Sequence, residues 1–175
     1  MKERTFLIIG LVLLSSTKTK EAKSAFPRYD GDELWTTMGH LYKGGMWFKK
    51  KVYISGFNAN TTVDGTDWRT NENVNSWPAS RTLPSASDAD NYFYLLALGY
   101  YSSGWQYFVG EFAYYWSSSA NPRLINSAYC LGFISSSVDV GSYHRSYGFR
   151  VGTFEYSSRL PFKAPPRPSP KGEGA

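Results

Sequence analysis

The chain has little of the residue types from which most enzyme and metal sites are built. It contains one cysteine and two histidines in 175 residues. The single cysteine, Cys130, excludes an internal disulfide and any metal site made of several cysteines. His40 has no carboxylate or second histidine at ligand spacing, so a structural role is the better interpretation. The serine run at residues 117–119 lacks the flanking glycines of a nucleophile elbow. We predict a protein that is not an enzyme and that binds no metal or cofactor.

Charged residues are also scarce, at 19% of the chain, with serine, asparagine and threonine filling the polar role. This composition favours an extracytoplasmic protein. The formal net charge is +5, but the basic residues concentrate at residues 18–23, at residues 49–51 and beyond Arg159. Such clusters are typical of solvated ends and an exposed turn, so we predict no nucleic-acid partner.

The two ends of the chain differ from its middle. Lys2 and Arg4 precede an apolar run at residues 6–14, which predicts a secretory signal peptide, with a buried strand or helix as the alternative. The run is shorter than the ~20 residues that span a bilayer, so no transmembrane span is expected. Residues 1–25 are thus predicted to be a signal peptide and charged linker, with an ambiguous cleavage site. Several prolines after Leu160 predict a disordered tail over residues 152–175.

Aromatic residues, in contrast, make up 18% of the chain and lie in patterns typical of short strands. Tyr129, Leu131 and Phe133 fall on one face of an extended chain, because side chains on a strand alternate between its faces. Cys130 lies between them and is predicted to be a buried structural thiol. Residues 138–140 and 147–151 alternate in the same way, with a polar turn predicted at residues 141–142. We predict one domain over residues 26–151.

Residues 87–99 are compatible with two structures. Ser87 and Asp90 match a loose capping box and Gly99 suits a helix end, which predicts a helix. The run at residues 92–98 is instead continuously apolar, as in a strand buried on both faces. We favour the strand, because the helix depends on one weak cap. A hairpin with its turn at residues 102–104 is then predicted to follow.

Two upstream segments have simpler patterns. Residues 34–54 predict short extended pieces joined at Gly44 and Gly45, with a strand resuming at residues 52–54. Residues 58–75 are rich in asparagine, aspartate and glycine, and spaced oxygens of this kind can bind calcium. They lack the regular oxygen spacing and terminal glutamate of an EF-hand, so ordinary turn chemistry is the better interpretation.

Several stretches carry a resemblance to a known family: YYWSSS at residues 114–119, NSAYCLGF at 126–133, SSSVDV at 135–140 and YHRSYGFRV at 143–151. Their order resembles the C-terminal half of the Fibrobacter succinogenes major paralogous domain, which is similar to C-type-lectin-fold proteins. Upstream, LWTTMGHLYKGGMWF and GTDWRTN resemble segments of surface proteins of gut Bacteroidetes, some of them fimbrial or adhesin-like. The resemblance implies an α+β, C-type-lectin-like fold, dominated by short antiparallel strands and long loops, and a secreted binding module.

The same resemblance bears on the kind of ligand. Calcium-dependent sugar binding in C-type lectins uses Glu-Pro-Asn or Gln-Pro-Asp together with a Trp-Asn-Asp triplet. This chain has only Ala120, Asn121 and Pro122 near that place, which disfavours a calcium-sugar site. Several lectin-fold proteins diversify their C-terminal region through a retroelement, and the polar positions between the strands here would suit such variation.

The candidate recognition surface consists of polar and aromatic residues between the apolar positions of the C-terminal half. Tyrosine offers large contact area at low entropy cost, and serine and asparagine offer adaptable hydrogen bonds. The candidate ligand-binding residues are Trp116, Asn126, Asp139, Ser142, Tyr143, His144, Arg145 and Tyr147.

These candidates have competing structural interpretations. Trp116 and Tyr147 also suit the core, and Arg145 also suits an ion pair with Asp139. Residues 142–144 are predicted to lie in a solvent-facing turn. We expect a secreted or cell-envelope, adhesin-like module that recognises a protein or carbohydrate ligand on a cell surface. The alternative is a structural fimbrial or envelope subunit without an external ligand.

Overall fold

The computed structural model describes residues 26–54, 58, 75–121 and 123–151. Strands make up 57% of the structure and helical segments 6%, and the described residues contain no helix of seven or more residues. The expected α+β class is therefore wrong, and the described part of the chain is nearly all β-sheet. Its helical segments are two three-residue 3-10 turns, Lys51–Tyr53 and Ala89–Asn91. The physical reason is that large aromatic residues alternate with small ones at the period of a strand, not of a helix.

Nine strands lie in the described residues. They are β1 (Arg28–Thr37), β2 (His40–Lys49), β3 (Asn75–Pro78), β4 (Tyr92–Leu96), β5 (Tyr100–Ser102), β6 (Trp105–Tyr107), β7 (Ala113–Ala120), β8 (Ser127–Phe133) and β9 (Ser137–His144). They form an N-terminal sheet with the order β1-β2-β4, a C-terminal sheet with the order β3-β9-β8-β7, and the two-stranded hairpin β5-β6. Every strand pair is antiparallel.

β1 and β2 form one long hairpin whose turn is at residues 38–39. The expected joint at residues 44–45 is wrong, because both glycines lie inside β2. Gly44 has a left-handed backbone with φ of +97°. Its carbonyl accepts hydrogen bonds from the Trp35 indole (2.8 Å) and from the Ala97 amide (3.0 Å). Gly44 therefore connects β2 to the ring on β1 and to the chain that leaves β4.

The segment with two possible structures is a strand, as favoured. Residues 92–96 form β4, which pairs antiparallel with β2. The hairpin β5-β6 is also confirmed, and its turn residues Ser103 and Gly104 have φ of 50° and 84°. Left-handed backbone at both central positions is the requirement of the turn type that matches strand twist. The strand expected at residues 52–54 is wrong, because a 3-10 turn replaces it.

The main core lies between the N-terminal and C-terminal sheets. Phe48 of β2 contacts Phe133 of β8, with ring centroids 6.1 Å apart. The predicted core positions of β8 are confirmed, because Tyr129, Leu131 and Phe133 are all buried. The other buried members of this cluster are Met46, Trp77, Leu95, Ala97, Ala113, Tyr115, Val138 and Val140.

Three predictions fall on residues that the structure does not describe: the signal peptide and linker at residues 1–25, the tail at residues 152–175, and most of the loop at residues 58–75. They stay predictions. Within the described part, no helix has the length and apolar character needed to cross a membrane.

Gly44→Ala is expected to destabilise the protein more than Gly39→Ala. Both glycines have positive φ, so each alanine costs about 1–2 kcal/mol from the backbone alone. A side chain at Gly44 would also overlap the Gly110 carbonyl oxygen, whereas nothing lies within 4 Å of one at Gly39. Urea unfolding of the two variants beside the wild type tests this. Equal losses of stability in the two variants would show that the overlap with the Gly110 carbonyl oxygen adds no measurable cost.

Candidate functional site

The C-terminal sheet has a second, outer face that carries aromatic residues. On β7, Ala113 and Tyr115 are buried in the core, and the alternation of side chains sends Tyr114 and Trp116 to the opposite face. Their partners on β8 are small, because Tyr114 pairs with Gly132 and Trp116 with Cys130. These small residues leave room for rings to lie across the sheet.

Six aromatic residues, which we name the aromatic face, cover this outer side. They are Tyr100, Tyr114, Trp116, Tyr143, Tyr147 and Phe149.

Phe149 lies at the centre of the aromatic face. Its ring centroid is 4.4 Å from that of Trp116 and 4.7 Å from that of Tyr114. Tyr147 and Tyr143 follow at 5.5 Å and 5.7 Å. Phe149 itself is buried, whereas the five rings around it are half-buried. The face is therefore a packed layer whose outer rings remain partly exposed to solvent.

Backbone hydrogen bonds hold Phe149 in place from both sides. Gly148 and Tyr101 exchange two of them, at 2.9 Å and 2.7 Å. The Arg150 amide donates to the Tyr114 carbonyl (3.0 Å), and the Trp116 amide donates to the Arg150 carbonyl (2.9 Å). Residues 148–150 thus join the C-terminal sheet to the β5-β6 hairpin.

The strand expected over residues 147–151 is therefore reduced to isolated bridges at Gly148 and Arg150. Tyr147 and Phe149 do lie on one side, as expected from the alternation, because their rings stack with planes 13° apart. Val151 does not join them and is 71% exposed. Gly148 has a packing role here, because a side chain at that position would come within 2.7 Å of the Tyr101 Cβ.

The expected solvent-facing turn at residues 142–144 is wrong, because β9 continues through His144. Gly141, placed in that turn by the sequence, pairs with Cys130 inside the sheet. Ser142 and Tyr143 are accordingly half-buried on opposite faces, and only His144 is exposed.

Ser142 has a structural partner on the side away from the aromatic face. The buried Asn121 side chain donates to the Ser142 hydroxyl (2.9 Å). The Asn121 carbonyl oxygen accepts from the amides of Arg123 (2.8 Å) and Leu124 (3.0 Å). These bonds shape the loop between β7 and β8, so we assign Ser142 to loop support rather than to ligand contact.

Asn126, His144 and Arg145 are exposed and lie at the rim of the aromatic face. The Arg145 amide donates to the Asn126 carbonyl (2.8 Å), and His144 Nδ1 lies 2.7 Å from the Ser146 hydroxyl. Tyr143 and Tyr147 stand on either side of this turn, and both contact Phe149. The turn therefore adds polar groups at one edge of the aromatic layer.

Asp139 does not pair with Arg145. Arg145 Nε donates to the Ser127 carbonyl (3.3 Å), whereas Asp139 Oδ2 is buried with no hydrogen-bond partner among the described residues. The carboxyl group lies over Gly132 beside the Tyr114 ring. A side chain at Gly132 would meet Asp139 Oδ2 at 2.8 Å and Tyr114 Cε1 at 2.9 Å. Glycine at this position is what allows the carboxyl group and the ring to come together.

The titratable groups around this carboxyl group reflect burial. Desolvation raises the pKa of the Asp139 carboxyl group above its ordinary value. Desolvation first, and the charge of Asp139 second, raise the pKa values of the Tyr114 phenol, the Cys130 thiol and the Tyr143 phenol. Asp139 is therefore close to all three groups, one on each of β7, β8 and β9.

The arrangement provides the components of a binding surface: ring area, phenol hydroxyls and one carboxyl group. Cys130 lies buried under it with a raised pKa, so the thiol is held in its unreactive protonated form. Within the part of the chain that the structure describes, no group of three or more histidine, cysteine, aspartate or glutamate residues is placed to hold a metal ion.

Three members of the aromatic face were absent from the predicted site: Tyr100, Tyr114 and Phe149. The period-two spacing of Tyr114 and Trp116 was a usable signal, because it places both rings on one face of β7. Tyr100 and Phe149 come from other segments of the chain. They come together because residues 148–150 hydrogen-bond to Tyr101 and to β7, and no local sequence pattern predicts that pairing. Of the predicted residues, Trp116, Tyr143 and Tyr147 belong to the face, and Asp139 lies beside it.

No family model, curated protein or solved structure matches this chain. The family resemblance described above therefore stays a prediction.

Asp139→Asn is expected to raise stability near pH 7, because it removes a largely buried charge whose Oδ2 atom has no hydrogen-bond partner among the described residues. The folded-state pKa of Asp139 lies above its unfolded value. Its ionisation thus destabilises the fold above the folded pKa, and this cost fades as the pH falls through that pKa. The advantage of the variant should be on the order of 1 kcal/mol near pH 7 and vanish below about pH 4.

Urea unfolding midpoints across this pH range measure the effect. Asp90→Asn is the matched control, because that side chain is exposed in the turn before β4. A variant less stable than the wild type near pH 7 would contradict the assignment and indicate that the carboxylate is paired in the folded protein.

Proposed function

We propose that this protein is a secreted or cell-surface ligand-binding module and that the aromatic face is its recognition surface. The ligand is a protein or a carbohydrate on a cell surface. The observation that carries the proposal is the layer of half-buried rings around Phe149, which is held on a hydrogen-bonded sheet and rimmed by exposed polar residues.

The composition of the face supports binding. Four of its six members are tyrosines, which combine a rigid apolar ring with a hydroxyl that donates and accepts hydrogen bonds. Such residues give contact area at low entropy cost, and they dominate recognition surfaces for that reason. The rings are fixed by their neighbours before a ligand arrives, so little further ordering is needed on binding.

The face continues onto the β5-β6 hairpin. Tyr107 and Phe108 contact Tyr100, with ring centroids 5.5 Å and 6.1 Å apart. On the same hairpin Trp105 is 71% exposed, and Phe108, which follows β6, is exposed as well. Clustered exposed aromatic residues mark interaction sites more often than chance, whereas single ones need no explanation.

Binding of the full chain to arrays of glycans and of cell-surface proteins, with and without calcium, tests the proposal. Tyr147→Ala is expected to weaken capture about tenfold or more, because it removes a half-buried ring from the edge of the face. Tyr53→Ala is the matched control, since Tyr53 is 47% exposed on a 3-10 turn outside the face. Protection of Cys130 from a thiol reagent checks that each variant is folded.

Two results would count against the proposal. Equal capture by the Tyr147→Ala variant and the wild type would indicate that the recognition surface lies elsewhere on the molecule. A folded protein that captures nothing on any array would favour the structural-subunit alternative, in which surface contacts serve only the protein's own assembly.

A further inference from the structure

The far end of the β1-β2 hairpin, residues 34–43, extends past the rest of its sheet. We name these residues the hairpin tip. β4 pairs with β2 only at residues 45–49, so among the described strands the two sides of the tip pair only with each other. The Trp35 indole donates to the Gly44 carbonyl at the base of the tip (2.8 Å). The tip is therefore a defined hairpin that is anchored at its base.

The two faces of the hairpin tip differ in their exposure. On one face Trp35 is buried, and its ring stacks on that of Tyr42 with centroids 5.1 Å apart. The other face carries Leu34 and Leu41, and both are more than half exposed. These two leucines share a face, because Leu34 pairs with Lys43 and Leu41 stands two residues before Lys43 on β2. Two aliphatic side chains thus lie on a face that the described core does not cover.

Met38 adds a third aliphatic side chain at the turn itself. The turn consists of Met38 and Gly39, and both have positive φ, at 49° and 78°. Asparagine followed by glycine is the favoured pair for such a turn, whereas a long side chain at positive φ is strained. Met38 is 77% exposed, so burial does not explain its presence there. A strained position that packing does not explain points to a role outside the fold.

The polar residues of the hairpin tip are neutral or basic. The sequence of residues 34–43 is LWTTMGHLYK, which contains His40 and Lys43 but no aspartate or glutamate. Both of these side chains are exposed. The nearest acidic residues along the chain, Asp32 and Glu33, precede the tip at the end away from the turn. The charge of the tip therefore favours a negatively charged surface, such as that of anionic lipid head groups.

The shape of the tip favours a bilayer over a protein partner. A stable protein interface buries about 800 Å² on each partner and requires a matching shape. The end of a two-stranded hairpin with three exposed aliphatic residues provides little such area. A bilayer needs no matching shape, and proteins lie at its surface through aliphatic side chains flanked by basic ones.

We propose that the hairpin tip inserts Met38 and Leu41 into the surface of a lipid bilayer. The strand rise of about 3.3 Å per residue puts Leu41 about 7 Å behind Gly39 and Lys43 about 13 Å behind it. Interfacial apolar side chains reach about 5–10 Å into the boundary between head groups and acyl chains. Leu41 is thus within this depth, and Lys43 lies at the level of the head groups. The aromatic face contributes no residue to the tip, so this inference is independent of the proposed function.

Cosedimentation of the full chain with lipid vesicles tests the inference. The two compositions are phosphatidylcholine alone and phosphatidylcholine mixed with phosphatidylserine. We expect the protein to bind both, and to bind the mixed vesicles at least about fivefold more tightly, because anionic lipid attracts Lys43.

Met38→Asn is the decisive variant. It is expected to weaken binding to both kinds of vesicle about tenfold or more, because it removes the most exposed aliphatic side chain of the tip. The same change is expected to raise the urea midpoint of unfolding, since it creates the favoured turn pair with Gly39. Loss of folding therefore does not explain weaker binding by this variant.

Two control variants lie at the opposite end of β2, on the 3-10 turn that follows it. Val52→Asn removes an aliphatic side chain that is 61% exposed, and it should leave vesicle binding unchanged. Lys51→Gln removes an exposed charge from the basic residues 49–51. This second control should weaken binding to the mixed vesicles far less than Met38→Asn does.

Four results would overturn the inference. They are equal binding by Met38→Asn and the wild type, an equal loss in Met38→Asn and Val52→Asn, binding to mixed vesicles alone that depends on Lys51 and not on Met38, and no vesicle binding by the folded wild type. The proposed function fails separately, because its array capture is tested with Tyr147→Ala. If Met38→Asn instead lowers capture of a protein on the arrays while vesicles bind nothing, the tip is a protein contact and the bilayer inference is lost.

Discussion

Burial of both faces of strand β8 is the constraint on which the rest of this structure depends. Tyr129, Leu131 and Phe133 fill the main core, and the residues between them, Cys130 and Gly132, lie under the aromatic layer on the other side. A strand that is covered on both faces fills the core with large side chains on one side. On the other side, small side chains leave room for the rings of the covering layer. The alternation of large and small residues along β8 meets that need.

The covering layer depends on a short segment with little regular structure of its own. Residues 148–150 are bonded on one side to Tyr101 and on the other to Tyr114 and Trp116. These backbone bonds fix Phe149 over the small residues of β8, and Phe149 in turn fixes the tyrosines around it. The proposed recognition surface is thus held by backbone hydrogen bonds, which keep its rings in a defined arrangement before any ligand binds.

Sequence patterns predicted those features that depend on neighbours along the chain. The period of two identified β8 and the valines of β9, the turn residues identified the hairpin β5-β6, and continuous apolar character identified β4. The α+β class was wrong because it came from the family resemblance and not from any helical periodicity in the described residues. The turn at residues 141–142 was also wrong, because Gly141 pairs with Cys130 inside the sheet and β9 continues past it.

The candidate site was predictable only in part, because sequence patterns report on neighbours along the chain and not on contacts between distant segments. Trp116, Tyr143 and Tyr147 were identified as aromatic residues near polar turns, but their meeting point, Phe149, was assigned to an ordinary strand. Contacts between distant segments, such as that of Tyr100 with Phe149 at 6.1 Å, leave no trace in local periodicity. The ion pair between Asp139 and Arg145, the structural alternative to ligand binding, does not form, because the Arg145 side chain donates to the Ser127 carbonyl.

Asp139 presents the sharpest conflict between local chemistry and the global fold. Every other feature of the outer face favours packing: small residues below, rings above, and a backbone segment that closes the layer. A carboxyl group in this position opposes packing, because burial desolvates its charge and its Oδ2 atom has no hydrogen-bond partner among the described residues. Conflicts of this kind in an otherwise consistent structure are concentrated at functional sites, where stability is given up for an interaction with something outside the chain.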